Sequence, residues 1–257
     1  MFWVPGAADT GVNILVKVTV LGRYGPFPAA GGACSGYLIN ASGSYVLLDC
    51  GAGVLSRLAV YIAPESLSAL ILSHLHSDHI SDVSVLRYAL DLASERRDDA
   101  LPVWVPLEPK DQLGQLLYRD HLVLHEPLCG QAVKIGALKA TPVAVKHSIP
   151  TFGWRISDGA KTLAYSADSE NCESLVELAR EADLFLCEAT YIDERLRQGG
   201  RNHLSARQAG QIAARAGVKR LLLTHLCPLE DPDLLLAEAQ KVFPAAELAV
   251  ERRTYEV

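Results

Sequence analysis

Long hydrophobic runs are missing from this 257-residue sequence: no window of about 18 consecutive apolar residues occurs, so no transmembrane helix is predicted. The first residues, Met1–Thr10, lack the basic and apolar segments that make up a signal peptide. The six cysteines contain no C-x-x-C pair, and most stand among apolar residues, so reduced core thiols are expected rather than disulfides. Together these absences predict a cytoplasmic protein with no membrane partner.

An excess of basic residues is also absent, since 24 lysines and arginines stand against 30 aspartates and glutamates, for a net charge of −6. Non-specific coating of nucleic acid normally needs a basic surface, so this balance argues against it without excluding a local basic groove. Low-complexity sequence is scarce and 49% of the residues are hydrophobic, which excludes a disordered chain. No linker, charge block or repeat interrupts the sequence, so residues 1–257 are interpreted as a single domain.

Short runs rich in Val, Ile and Leu predict strands along the whole chain, and helical patterns lie between several of them. The predicted strands are Ile14–Leu21, Gly36–Asn40, Tyr45–Leu48, Ala69–Leu72, Val103–Val105, Val143–Val145, Leu163–Tyr165, Leu184–Cys187 and Leu221–Thr224. The predicted helices are Gly53–Ile62, Ser81–Arg96, Asp111–Arg119, Glu173–Glu181, Ser205–Ala216 and Pro232–Val242.

Two local signals sharpen this pattern. Ser205-x-x-Gln208 is typical of a capping box at a helix start, and Ser157-Asp158-Gly159 is typical of a hairpin turn. Strands therefore occur both in hairpin pairs and in alternation with helices. This mixture predicts an α/β protein, a four-layer αββα sandwich of two mixed β-sheets with outer helices.

Four potential metal ligands lie within the six residues from His74 to His79, directly after the apolar run Ala69–Leu72. In an extended loop, the i, i+2 spacing of His74 and His76 lets both imidazoles point the same way. Asp78 and His79 then turn back as the chain enters the next helix. This one loop can supply two ligands to each of two adjacent metals.

One loop cannot complete two metal spheres, so further ligands are expected elsewhere. His147, Asp168 and His225 each follow a predicted strand, at the end where open α/β sheets generally bind ligands. Five of the eight histidines are thereby assigned to a single site. Imidazoles combined with carboxylates suit zinc, with manganese or iron(II) as alternatives.

The pattern His-x-His-x-Asp-His with a later His, Asp and His resembles the metallo-β-lactamase fold superfamily, and the resemblance covers nearly the whole chain. It implies the αββα sandwich with a binuclear metal site at one edge. In that case His74, His76 and His147 hold the first metal, Asp78, His79 and His225 hold the second, and Asp168 bridges them. The same resemblance implies that Asp49, at its own strand end, orders the loops of the site.

A second pair of residues narrows the function. Glu188 follows a predicted strand and His203 precedes the capped helix, and a carboxylate paired with an imidazole can keep the ring protonated and aim it as a general acid. The segments Glu188-Ala189-Thr190 and His203-Leu204-Ser205-Ala206 are similar to those of ribonuclease Z and its phosphodiesterase relatives. The resemblance implies that the Glu188–His203 pair assists departure of the alkoxide from a phosphodiester. The mechanism we expect is metal-assisted hydrolysis in which Asp78 or Asp168 orients the attacking water and His203, held by Glu188, protonates the leaving group.

One departure from ribonuclease Z limits the substrate. That family carries a long basic, glycine-rich arm that grips tRNA, whereas His147 and Asp168 here are only 21 residues apart and leave no room for it. We therefore expect a small phosphodiester or a short RNA as substrate, and not tRNA. Arg195, Arg197 and Arg201 either meet a substrate phosphate or form a solvated face.

One alternative remains open at this point, and two others are disfavoured. The chain could be a lactone, thioester or β-lactam hydrolase of the same fold, which needs less help at the leaving oxygen. A flavodiiron-type redox enzyme usually has Glu at the position of His76 and adds a flavin domain, whereas this chain has His76 and no room for such a domain. A non-catalytic binding module usually loses ligands, and none is missing here. Dimers are common in the resembled family, so a homodimer is compatible with the sequence.

Overall fold

A computed structural model describes residues 15–93, 99–114, 116 and 119–257. In it two mixed β-sheets of seven strands each stack face to face, and helices flank both outer faces, which confirms the predicted αββα arrangement. The segment Met1–Thr10 lies outside the described residues, as do Ile14 and parts of the predicted helices Ser81–Arg96 and Asp111–Arg119. No helix in the described ranges has the length and apolar character needed to cross a membrane.

The first sheet has the spatial order β14-β1-β2-β3-β4-β5-β6. Its strands are β1 (Lys17–Gly22), β2 (Gly36–Ala41), β3 (Ser44–Leu48), β4 (Ala69–Ile71), β5 (Leu101–Trp104), β6 (Leu122–His125) and β14 (Thr254–Glu256). The pairings from β14 to β3 are antiparallel, and those from β3 to β6 are parallel.

The second sheet has the order β13-β12-β11-β10-β9-β8-β7 and repeats this division. Its strands are β7 (Val133–Ile135), β8 (Leu138–Ala144), β9 (Phe152–Ser157), β10 (Thr162–Tyr165), β11 (Leu184–Glu188), β12 (Leu221–Thr224) and β13 (Ala246–Leu248). The pairings from β7 to β10 are antiparallel, with the predicted hairpin turn between β9 and β10, and those from β10 to β13 are parallel.

The helices cover the outer faces or form short connections. They are α1 (Val54–Leu58), α2 (Ser77–Ile80), α3 (Val83–Leu92), α4 (Lys110–Leu113), α5 (Glu173–Ala179), α6 (Asp193–Arg197), α7 (Ala206–Ala216) and α8 (Pro232–Gln240). The predicted capping box is present, since the Ser205 side chain accepts from the Gln208 backbone N–H and the Gln208 side chain accepts from that of Ser205. Helix α7 ends before Gly217, which adopts a left-handed conformation as its cap.

Side chains alternate between the layers, which explains the apolar character of the central strands. Tyr37 and Ile39 of β2 pack between the sheets, whereas Leu38 faces the helices on the outside. Trp154 and Tyr165 fill the same inter-sheet core from the second sheet. Since both faces of these strands are covered, their sequences read as nearly continuous apolar runs.

Sequence reasoning missed the edge strands β6, β7, β13 and β14, and it also missed β9 inside the second sheet. β13 and β14 are only three residues long, and one-sided burial leaves polar residues in them, so neither has a recognisable apolar run. The predicted strand Val143–Val145 is the end of the longer β8, whose interior contains Pro142. Proline argues against a strand in sequence, but here Pro142 is paired with Trp154 in the antiparallel register of β8 and β9.

The sheet geometry brings the ends of five strands to a common edge of the sandwich. In the first sheet Leu48 pairs with Ile71, so β3 and β4 end side by side. In the second sheet Tyr165 pairs with Leu186 and Glu188 with Thr224, so β10, β11 and β12 also end together. The residues that follow these ends lie close in space although they are far apart in sequence.

Candidate metal centre

The first group of potential ligands combines the β4 loop with residues that follow β8 and β10. The Nε2 atoms of His74 and His147 each lie 3.1 Å from Nδ1 of His76. Asp168 Oδ2 is 3.7 Å from His74 Nε2. Donor atoms of these four residues all lie within 4.8 Å of one another, close enough to hold one metal ion.

The second group lies against the first and shares Asp168 with it. His225 Nε2 is 3.1 Å from Asp78 Oδ2 and 3.2 Å from Asp168 Oδ2. His79 Nε2 lies 3.3 Å from the same Asp168 oxygen. The structure thus brings together all seven residues that the sequence singled out as ligands, with Asp168 between the two groups.

The imidazoles are held by the ring nitrogens that face away from the cluster. His79 Nδ1 lies 2.8 Å from Asp49 Oδ2, and His147 Nδ1 donates to the backbone oxygen of Asn202 over 2.9 Å. Similar contacts fix the Nδ1 atoms of two further rings, His74 with Ser73 Oγ (3.0 Å) and His225 with Thr190 Oγ1 (2.9 Å). With Nδ1 engaged in this way, the Nε2 lone pairs are directed at the cluster, which is the arrangement typical of metal-binding histidines.

Two buried atoms inside the cluster, His79 Nε2 and Asp168 Oδ1, have no hydrogen-bond partner. A buried polar group without a partner costs about 1–3 kcal/mol, and a cation between these lone pairs would remove that cost. The donor set of neutral imidazoles and carboxylates matches divalent metals such as zinc, manganese or iron(II). The residues present therefore fit the metal that the sequence pattern implies.

The electrostatics of the cluster agree with this fit. Burial lowers the pKa of His74, His76 and His147, so these rings are neutral and their lone pairs are free at neutral pH. Burial alone would also lower the pKa of His79, but the carboxylates of Asp168, Asp78 and Asp49 hold it well above its usual value. The His79 side of the cluster therefore carries an excess of negative charge that a cation would neutralise.

Glu188 and His203 form the pair that the sequence suggested as an acid. Glu188 is 1% exposed, and His203 Nδ1 lies 3.2 Å from its Oε1. Burial opposes a charged ring, but the adjacent Glu188 carboxylate outweighs it and raises the pKa of His203 to about 9. The His203 ring stacks on His225 with centroids 5.2 Å apart, so a protonated imidazole stands beside the cluster.

The Glu188 carboxylate is itself fixed by three other donors. Its oxygens accept the backbone N–H of Ser169 over 2.6 Å, the backbone N–H of Leu204 over 3.1 Å and the hydroxyl of Thr190 over 2.8 Å. Since Thr190 also contacts His225, one hydroxyl links the acid pair to the metal cluster. Of these groups Thr190 and Leu204 stood in segments that the sequence had marked, whereas Ser169 did not.

Left-handed backbone conformations recur around the cluster. Asp49, Ala167, Asn202 and His225 have φ angles of 58°, 54°, 64° and 51°. Such values are uncommon for residues other than glycine and are unfavourable in free energy, so the surrounding contacts must offset this cost. They turn the chain sharply at three strand ends, and at the Asn202 peptide whose oxygen holds His147.

Some functional positions carried only a weak sequence signal. Tyr165 donates its hydroxyl to Asp49 Oδ2 over 2.6 Å, although its apolar strand predicted nothing beyond a core residue. A Cβ atom at Gly25 would lie 1.9 Å from His225 Nε2, so only glycine lets this loop close over the ring.

Two histidines outside the predicted site, His121 and His125, lie apart from the cluster. His121 Nε2 contacts Asp91 over 2.9 Å, and the ring of His125 stacks on Trp104. Arg195 and Arg197 lie on α6, whereas Arg201 is in the loop before His203. The six cysteines are free thiols, as expected.

Comparison with known proteins agrees with this geometry. The family model of the beta-lactamase superfamily domain matches residues 44–226. The probable metallo-hydrolase YhfI of Bacillus subtilis (strain 168) is 37% identical over 233 residues, which span 89% of this chain and 94% of that protein. The crystal structure of YhfI, a metallo-beta-lactamase fold protein, superposes with a TM-score of 0.89 at 35% identity and covers 95% of this chain and 100% of the other.

Two further similarities extend the comparison. A ribonuclease Z from Mycolicibacterium gilvum (strain PYR-GCK) is 30% identical over 249 residues, which span 85% of this chain and 86% of that enzyme. A diphosphatase from the PhnP family superposes with a TM-score of 0.73 at 20% identity, covering 95% of this chain and 97% of the other. The second likeness shows a shared fold alone.

Proposed function

The chain belongs to the beta-lactamase superfamily and is a metallo-hydrolase of that fold, and from this premise we propose that it is a phosphodiesterase with two divalent metal ions. The observation that carries the proposal is the Glu188–His203 pair beside the cluster, with His203 Nδ1 3.2 Å from the buried carboxylate. Acyl transfer from lactones and thioesters passes through a tetrahedral intermediate and needs less help at the leaving atom than phosphodiester hydrolysis does. A dedicated acid is therefore most useful in phosphodiester hydrolysis.

The two groups of ligands are assigned to two ions. His74, His76 and His147 would hold one ion, Asp78, His79 and His225 would hold the other, and Asp168 would contribute to both. When bound, divalent ions polarise the phosphoryl oxygens and lower the pKa of a coordinated water. Zinc is our first choice, and manganese and iron(II) suit the same donors.

The chain's own groups move the protons. Asp78 or Asp168 orients the attacking water, since both carboxylates lie within the ligand cluster. His203 uses Nδ1 toward Glu188, which leaves Nε2 to donate a proton to the departing oxygen. Glu188 keeps this ring charged and aimed, because its carboxylate is fixed by two backbone N–H groups.

The substrate in this proposal is a small phosphodiester or a short nucleic acid. The similarity to a ribonuclease Z supports phosphodiester chemistry. Between His147 and Asp168 the chain forms only β9, a tight turn and β10, so this part of the described structure has no arm to grip tRNA. The net charge of −6 also disfavours a large polyanion.

The test is hydrolysis of bis(p-nitrophenyl) phosphate by the protein reconstituted with zinc or manganese. We expect metal-dependent turnover that is abolished by a chelator and restored by added metal. Turnover would justify a screen of cyclic nucleotides and short RNAs. If protein shown to carry two metals per chain fails to cleave phosphodiesters but cleaves lactones or thioesters, the proposal is wrong and Glu188–His203 is a structural pair.

A further inference from the structure

A cavity of about 280 Å³ lies against the catalytic acid on the side of the loop between α6 and α7. Its lining includes His203, Asn202, Arg201, Gly200, Leu196 and Asn171. The volume is just below the roughly 300–1,000 Å³ typical of pockets for whole ligands, so it suits one substituent of a substrate. Arg195 and Arg197, the other two arginines of this region, are not among the lining residues.

The backbone that carries Arg201 is fixed by contacts on both sides. The next residue, Asn202, donates its N–H to Glu170 over 3.3 Å and accepts from His147 Nδ1 over 2.9 Å. On the other side, a Cβ at Gly200 would lie 3.0 Å from both the Tyr191 ring and the Leu196 Cα, so Gly200 packs closely there. Arg201 therefore starts from a defined position two residues before His203.

The cavity carries one positive charge that has no ion pair among the described residues, the guanidinium of Arg201. Glu170 also lines the cavity, but Lys146 Nζ lies 2.5 Å from its carboxylate and offsets its charge. Within the part of the chain that the structure describes, Arg201 has no ion pair. An exposed guanidinium at the wall of a polar cavity is an anion-binding group, because it can offer two parallel N–H donors to a carboxylate or phosphate.

We infer that this cavity is the leaving-group subsite and that Arg201 binds an anionic substituent of the leaving group. The inference rests on the proposed function, because it takes His203 as the acid. The leaving oxygen must come within hydrogen-bonding distance of the His203 ring, and the rest of the leaving group then extends along the cavity that this ring lines. The preferred substrates are phosphodiesters whose departing alcohol carries a second negative charge, such as a further phosphate or a carboxylate.

The test compares two chromogenic substrates that differ only in the leaving group, methyl 4-nitrophenyl phosphate and methyl 3-carboxy-4-nitrophenyl phosphate. We expect the metal-loaded protein to prefer the carboxylated substrate by about three- to fivefold in kcat/KM, the range of an exposed ion pair. The preference should diminish as ionic strength increases. Arg201→Ala should abolish it, Arg201→Lys should keep part of it, and Arg201→Glu should reverse it.

The control is Arg197→Ala, which removes an exposed arginine of α6 that does not line the cavity and should leave the preference unchanged. A direct readout is equilibrium dialysis of the released phenol, 5-hydroxy-2-nitrobenzoate, which should bind Arg201→Ala more weakly than the unaltered protein. Equal preference in all variants overturns the role of Arg201 while leaving the phosphodiesterase proposal intact. Absence of turnover for both substrates counts against the phosphodiesterase proposal itself.

Discussion

Asp49 Oδ2 lies 2.8 Å from His79 Nδ1, and both side chains are completely buried. The same oxygen accepts the hydroxyl groups of Tyr165 over 2.6 Å and Ser73 over 2.9 Å. Because Asp49 and Ser73 follow strands of the first sheet and Tyr165 ends a strand of the second, this carboxylate joins the two sheets beneath the metal cluster. It also sets the tautomer of His79, whose Nε2 faces Asp168.

Asp49→Asn is expected to weaken metal binding by about 10–100-fold, the usual effect of removing a carboxylate that orients a ligand histidine. The neutral amide no longer fixes the proton on His79 Nδ1. Competition with a chromophoric chelator measures the change. Tyr165→Phe removes one donor and leaves the His79 contact, so it should have a smaller effect. Equal metal affinity in Asp49→Asn and the unaltered protein would contradict the orienting role.

His76→Ala is expected to reduce the metal content by about one ion per chain and to abolish hydrolysis, since His76 Nδ1 contacts two other candidate ligands. The matched control is His121→Ala, because His121 contacts Asp91 well away from the cluster. Elemental analysis after dialysis, together with activity, checks both variants. Retention of full metal by His76→Ala would show that the ligand assignment is wrong.

His203→Ala is expected to keep its metal and to lose rate according to the leaving group. For alkyl phosphodiesters the loss should reach about 10²–10⁴-fold, the usual contribution of a general acid. For p-nitrophenyl esters the loss should be small, because the phenolate departs without a proton. A plot of log kcat against leaving-group pKa should become steeper in the variant. Normal turnover of poor leaving groups by His203→Ala would eliminate the acid role.

The same acid predicts the direction of the pH dependence. Glu188 raises the pKa of His203 to about 9, so the protonated ring is present below that pH and is lost as pH rises through it. For a poor leaving group, kcat should therefore fall on the alkaline side, as pH rises through the raised pKa of His203. Glu188→Gln removes the main cause of the raised pKa and should move the alkaline limb to lower pH. An unshifted limb would assign it to another group.

A prediction on stability concerns Asp183, which is 8% exposed and lies far from the strand ends that form the site. Its burial would raise the pKa, but hydrogen bonds from Lys219, the Thr162 backbone and Lys161 outweigh this and lower it. The stabilisation is therefore present above the usual carboxyl pKa and is lost as pH falls through the folded value. Asp183→Asn should destabilise the protein by about 1 kcal/mol at pH 7.

Urea unfolding of the metal-free protein at pH 7 and at pH 3 tests this directly. The difference between Asp183→Asn and the unaltered protein should shrink at the lower pH, where the carboxyl becomes protonated. Glu173→Gln is the control, because its ion pair with Arg215 is largely exposed and should contribute little at either pH. A constant difference across both pH values would show that charge is not the cause.

The sequence alone predicts those site residues that are marked by a short stretch of the chain around them. The spacing from His74 to His79 is contained in one loop, and His147, Asp168 and His225 could be found because each follows an apolar run that forms a strand. Their convergence on Asp168 required the pairing of β10, β11 and β12, which only the folded chain supplies. The same strand-end reasoning located Glu188, but the donors that hold its carboxylate emerged only from the structure.

The contacts across the two sheets could not be predicted in this way. Tyr165 and Asp49 are separated by 116 positions, and their hydrogen bond depends on how one sheet is placed on the other. Likewise Arg201 could not be distinguished from Arg195 and Arg197 before the loop path was known. In both cases the deciding information is a distance between elements, which composition and periodicity do not contain.

Each sheet of the described structure changes from antiparallel to parallel pairing along its width, and each contributes part of the cluster from its own strand ends. His74 to His79 follow the first sheet, whereas His147, Asp168 and His225 follow the second. The two sheets share no strand in the described residues, and their main contact is the apolar layer between them. Any ion bound at this edge would therefore cross-link the two sheets. The amount of bound metal would then indicate whether the two sheets are correctly packed together.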